Sequence, residues 1–142
     1  MQEMNIKPDA VTQFLLSQGL VPEAEYFGNS HVLVGQRLKL LDCELVYRLE
    51  NEELIICDFV AKQPVEGSAS AVSAFIHLIH KIEKSVPKMK RVRGLFLESM
   101  TRPELNQIRT RLSKVLEAQG ATWQDIDGEL WLVYETGLAK VA

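Results

Sequence analysis

Leu54-Ile55-Ile56-Cys57-Asp58-Phe59-Val60-Ala61 runs directly into Lys62-Gln63-Pro64-Val65-Glu66-Gly67-Ser68-Ala69, and a long amphipathic segment follows. The first stretch is apolar and the second holds Pro, Gly and small residues. The junction therefore reads as a strand (53–61), a loop and a helix start. Backbone amides at a helix N-terminus favour anions, so the 63–69 loop is the first candidate for binding chemistry.

Working back from this junction, Leu41, Cys43, Leu45, Tyr47 and Leu49 alternate with Asp42, Glu44, Val46, Arg48 and Glu50. Strict alternation predicts a strand with one buried face. A tight turn at Asn51-Glu52 joins it to 53–61. A symmetric turn pairs Leu49 with Leu54, Tyr47 with Ile56, Leu45 with Asp58 and Cys43 with Val60. Asp58 then falls on the apolar face, either as a strand-end carboxylate with a local partner or as a site carboxylate. Further upstream, a helix is expected over about 8–18, with Pro8 and Asp9 in its first turn and Gly19 as its stop. Pro22, Gly28-Asn29 and Gly35 punctuate residues 20–40, where His31-Val32-Leu33-Val34 is a candidate short strand.

Working forward, Val72, Phe75, Ile76, Ile79, Ile82 and Val86 recur at helical spacing and predict a helix over 66–85 that Pro87 ends. Val92 to Leu97 is apolar on both alternating faces and predicts a central strand covered on both sides. Thr101-Arg102-Pro103-Glu104 reads as a capping box for a third helix, with Leu105, Ile108, Leu112, Val115 and Leu116 as its stripe and Gly120 as its C-terminal cap. A hairpin over 121–126 and 129–135, turned at Asp127-Gly128, closes the chain. Trp123 and Trp131 flank that turn and read as core or cross-strand partners.

Length and composition point to a single α+β domain across 1–142: 142 residues, 46% hydrophobic and 25% charged. A net charge of −3 argues against a dedicated nucleic-acid binder. No apolar run reaches the ~20 residues of a membrane span. The first residues lack a signal-peptide pattern, so a cytoplasmic protein is expected. Cys43 and Cys57 have no metal-ligand spacing and read as reduced core thiols. His77 and His80 share a helix face but lack a foreseeable third ligand, so no metal site is expected. Ser68, Ser70 and Ser73 have no adjacent His, which argues against a serine nucleophile.

Charge is unevenly placed. Of 16 basic and 19 acidic residues, the segment 81–93 holds six and one, leaving ten and eighteen for the rest. Lys84, Lys88, Lys90, Arg91 and Arg93, joined by Arg109 on the third helix, are the candidate contacts for an acidic protein partner. A solvated helix end is the alternative. No aromatic residue interleaves the run, which disfavours nucleic acid.

The order of elements resembles the larger part of the GCN5-related N-acetyltransferase fold. That resemblance implies a mixed, mostly antiparallel sheet flanked by helices, in which a strand splays from its parallel neighbour and the loop opening the next helix holds the acetyl-CoA pyrophosphate. Gln63, Gly67, Ser68 and Ala69 would do so here, with Glu98 or Asp58 as base. The loop has one residue more than the family's spacing, and Pro64 removes an amide. Leu116 stands four residues before Gly120, where many of these enzymes place a Tyr that protonates the thiolate.

A second resemblance is carried by the ends of the chain. Asp9 through Phe14-Leu15 to Gln18-Gly19-Leu20, then Leu105-Asn106-Gln107-Ile108-Arg109, Leu116-Glu117-Ala118-Gln119-Gly120-Ala121-Thr122-Trp123 and Gly128-Glu129-Leu130-Trp131-Leu132, are similar to the low-calcium-response R (LcrR) family. It implies a cytoplasmic accessory, regulatory or chaperone-like factor of a bacterial type III secretion system. It further implies binding to secretion components such as needle-tip and gate proteins, with no catalytic residue and no cofactor. A second copy of the chain is a further candidate partner. The competing expectation is an acyl-CoA-dependent N-acyltransferase that binds acetyl-CoA.

Overall fold

Asp9 starts the first helix from outside it. Its carboxylate accepts from the Thr12 amide at 2.8 Å and caps α1, Ala10–Ser17. Gly19, at φ +80°, stops that helix, and the Leu20 amide bonds back to the Leu15 carbonyl at 3.0 Å. The architecture comes from a computed structural model that describes residues 8–61, 68–94 and 103–136. After α1 come β1 (Glu23–Tyr26), β2 (Leu33–Lys39), β3 (Cys43–Glu50), β4 (Glu53–Ala61), α2 (Ser68–Ser85), β5 (Arg91–Gly94), α3 (Pro103–Ala118), β6 (Thr122–Ile126) and β7 (Glu129–Glu135).

The fold is mixed α+β, as expected. Among the described residues, the strands form one seven-stranded sheet in the order β1-β2-β3-β4-β5-β7-β6, with β4–β5 as the one parallel pair. A parallel pair needs a long crossover, which α2 supplies. Both expected tight turns are present. Asn51 and Glu52 sit at φ 51° and 71°, and Asp127 and Gly128 at 53° and 84°, the left-handed pairs that match the strand twist.

All three helices contribute to one core on one face of the sheet. Val11 and Leu15 of α1, Phe75 and Ile79 of α2 and Leu112 of α3 pack with Leu45, Tyr47, Ile56 and Phe59. Phe59 meets the edge of Phe75 with ring centroids 5.1 Å apart. Among the described residues, no helix covers the opposite face. Its rows hold Arg37 beside Val46, and Arg48, Ile55, Arg93 and Val133 side by side. Arg37 bridges Glu25 at 2.9 Å and Glu44 at 3.1 Å. The hydrogen bond from Arg37 holds the Glu25 carboxyl below its usual range and, reciprocally, strengthens the guanidinium's hold on its proton.

Several expectations change. Residues 20–40 form the β1–β2 hairpin, so the strand expected at 31–34 begins at Leu33 and runs to Lys39, and β1 had no counterpart in the sequence reading. The β3–β4 register is regular from the turn to Tyr47–Ile56, and then slips. Val46 pairs with Asp58, Leu45 with Phe59 and Cys43 with Ala61. Cys57 is the extra residue of a β-bulge on β4. The bulge brings Phe59 to the core face in place of Asp58 because one inserted residue exchanges the faces of everything beyond it. β5 is central, as expected, but in its described part Arg91 and Arg93 occupy the face away from the helices. Residues 95–97 of that expected strand, and the Thr101-Arg102 part of the capping box, lie outside the described residues.

Candidate functional site

The junction that decides the fold is described on its β4 side. Asp58 Oδ1 accepts from the Phe59 amide at 2.9 Å and lies 3.5 Å from Arg109 Nη2 of α3. The Asp58 side chain is 40% exposed and that of Arg109 20%. Asp58 follows the last parallel β4–β5 pair, Ile56–Gly94, and the α3 cation reaches it there. Two of the oxygen's acceptor directions are therefore occupied by fold-forming donors, which is the local-partner alternative for this residue. Gln63, Gly67 and Glu98 lie outside the described residues. Ser68 and Ala69 occupy the first turn of α2. Leu116 is 8% exposed in the helix-face core, where it packs as an apolar residue and holds no transferable proton.

The candidate basic residues do not form one patch. Lys84, in the last turn of α2, and Lys88, in the turn after it, are exposed. Lys90 lies 3.8 Å from Glu52, Arg91 3.6 Å from Glu135 and Arg93 2.8 Å from Glu53. Arg93 also stacks on Trp131, 4.3 Å from the ring centroid. Its Nε is buried without hydrogen-bond alignment to any partner, so the Glu53 contact is a charge interaction. These five residues gather at the sheet end where β5 begins. Arg109 lies with Asp58, beyond the other end of the parallel ladder. Strand pairing thus neutralises half of the basic run that appears unopposed in one dimension.

His77 is exposed, and His80 Nε2 lies 2.7 Å from Oε1 of Gln119, in the turn after α3. Among the described residues, no three His, Cys, Asp or Glu side chains converge into a metal-binding group. Cys43 is buried, Cys57 is half-buried and neither is in a disulfide. Burial is the main cause that raises the pKa of the Cys57 thiol; Arg48 opposes the rise and nearby Glu50 and Asp58 add to it, so the thiol is a poor nucleophile. Among the described residues, no helix is long and apolar enough to cross a membrane.

The most conspicuous apolar exposure was missed in the sequence reading. At the β1–β2 hairpin tip, Tyr26, Phe27, Val32 and Leu33 are 48, 72, 65 and 51% exposed. The tip is ordered by the Phe27 amide bonding to the Val32 carbonyl at 2.9 Å and the Ser30 amide to the Phe27 carbonyl at 3.0 Å. The signal was present: turn residues Gly28-Asn29-Ser30 flanked on both sides by large apolar residues mark a hairpin. Two open grooves also flank the outer side of α2. One, about 640 Å³, lies towards Leu20, Leu40 and Leu41, and the other, about 370 Å³, towards Arg111 and Val115 of α3 and Gln119 just after it.

No family model matches this chain, and no curated protein is significantly similar to it.

Proposed function

We propose that the protein is a non-enzymatic accessory factor of a bacterial type III secretion system, regulatory or chaperone-like, and that it works by binding protein. The observation that carries the binding role is the β1–β2 tip, where four large apolar side chains cluster in solvent. Scattered surface apolar residues need no explanation, but a contiguous set on an ordered hairpin is typical of a docking site. The secretion context rests on the family-like ends of the sequence. The lack of catalysis is supported by Leu116 in the core and by Asp58 being engaged with Arg109.

The test uses the full chain as bait in extract from a bacterium that carries such a system, with retained proteins identified by mass spectrometry. Burying one Phe side chain contributes about 1.5–3 kcal/mol. Phe27→Asp should therefore lower retention by at least about tenfold. The expected result is a secretion component held by the native chain and lost with Phe27→Asp. Retention of no such component, or equal retention by both proteins, defeats the proposal.

A second reading has its own support. The parallel β4–β5 pair, the α2 crossover and the bulge in β4 are compatible with the N-acetyltransferase-like topology that the sequence resembles. In that reading Gln63, Gly67, Ser68 and Ala69 hold the acetyl-CoA pyrophosphate, and Asp58 or Glu98 is the base. Calorimetric titration with acetyl-CoA separates the two readings. Micromolar binding that a bulky residue at Gly67 abolishes favours the acyltransferase.

A further inference from the structure

The larger groove beside α2 lies apart from the hairpin tip and, of the basic run 81–93, includes Lys81. Its α2 wall is formed by Ser70, Ser73, Ala74, His77, Leu78 and Lys81, three turns spanning about 16 Å. Its other wall carries Leu20, Leu40, Leu41 and Asp42. Ser70, Ser73 and Ala74 admit close approach of another helix along the first half of that wall, and Leu78, 7% exposed, gives it an apolar base. Leu41, at the tip of the β2–β3 turn, stands 89% exposed on the rim. The two charges in the groove have opposite signs. Asp42 belongs to the turn at the sheet end where α2 begins, whereas Lys81 sits three turns along α2. Among the described residues, neither has an ion-pair partner, although both line the same groove.

We infer that this face pairs with the same face of a second copy of the chain, α2 against α2 and antiparallel, about a two-fold axis between Ala74 and His77. The argument is self-complementarity. A two-fold interface sets each end of a surface against the opposite end of its copy. An axis at the centre of the α2 wall brings Ser70 opposite Lys81 of the partner subunit, so that each Asp42 meets the other copy's lysine, twice by symmetry. The exposed Leu41 then enters the partner's apolar groove and removes the largest single apolar exposure in the described chain. A parallel arrangement would set like charges together and is disfavoured. This inference is independent of the secretion reading.

The test is analytical ultracentrifugation of the full chain from low micromolar to several hundred micromolar. The mass should rise from that of a 16.1 kDa monomer towards twice that value. Asp42→Lys and Lys81→Asp should each weaken association about tenfold, and the double variant should restore it, because the pair is rebuilt with its charges exchanged. Leu41→Asp should also weaken association without changing the thermal midpoint measured at low micromolar concentration, where the chain is monomeric, since the residue is exposed in a turn. A chain that stays monomeric throughout the range overturns the inference. So does a dimer indifferent to Leu41→Asp, or single charge variants that the double variant does not rescue.

Discussion

At the scale of single residues, the clearest physical commitments are buried hydroxyls and one close backbone approach. Tyr47 is 1% exposed, and its hydroxyl lies 2.7 Å from Thr12 Oγ1, which in turn bonds Asp9 Oδ2 at 2.9 Å. Burial is the main cause that pushes the Tyr47 pKa up to about 12 from 10.0, and burial followed by the Glu83 hydrogen bond does the same to Tyr134. The folded state therefore retains protons that the unfolded chain releases near pH 10. Stability from these groups is fully present below pH 10 and falls as pH rises towards about 12. Urea melts across that window should show the decline, and Tyr47→Phe should flatten it. At neutral pH the same substitution should cost only about 1 kcal/mol, because Thr12 keeps Asp9 as a partner. Gly35 is the second commitment. A Cβ there would collide with the Tyr47 carbonyl oxygen, a backbone atom that cannot move without the strand. Gly35→Ala should lower stability by about 1–3 kcal/mol in the same melts.

At the scale of elements, the bulge at Cys57 decides what β4 presents. The alternation of β3 was legible, as were both left-handed turns, the α2 stripe and the stop at Gly19, because each is set by residues a few positions apart. The bulge was not legible, because an apolar stretch such as Leu54–Ala61 fits either register. With the bulge, Phe59 is 2% exposed in the core and Asp58 is half-exposed beside Arg109. Without it, the two residues would exchange faces. Phe59→Ala should therefore cost about 3–5 kcal/mol. Asp58→Ala should cost no more than about 1 kcal/mol, because its partly solvated ion pair is screened. Chemical denaturation of both variants measures the register, and a reversed ranking would return Asp58 to the core face. The bulge also bears on chemistry, since it sets the candidate base Asp58 beside Arg109 of α3.

At the scale of the whole molecule, the sheet redistributes charge that the chain gathers. Lys88 remains exposed, whereas Lys90 and Arg91 face Glu52 and Glu135. Lys88→Glu should leave the thermal midpoint unchanged, so any loss of the captured partner would report binding alone. The triple reversal of Lys88, Lys90 and Arg91 to Glu should additionally lower stability by about 1–2 kcal/mol through the two exposed pairs it inverts. Partner retention unchanged in both variants would remove this end of the sheet from the docking surface. The hairpin tip and the α2 groove show the same division. Leu41 and Phe27 are plain in the sequence, but nothing local says that they stay in solvent. By itself the sequence determined the α+β class, the three helices, the strands from 41 onward and their tight turns, because periodicity, caps and turn conformations act over a few residues. Only the tertiary structure decided the strand order, the slipped register that moves Asp58, the carboxylates facing the basic run and the apolar groups left uncovered. Those depend on which distant segments become neighbours, and strand pairing is a long-range choice that no local pattern encodes.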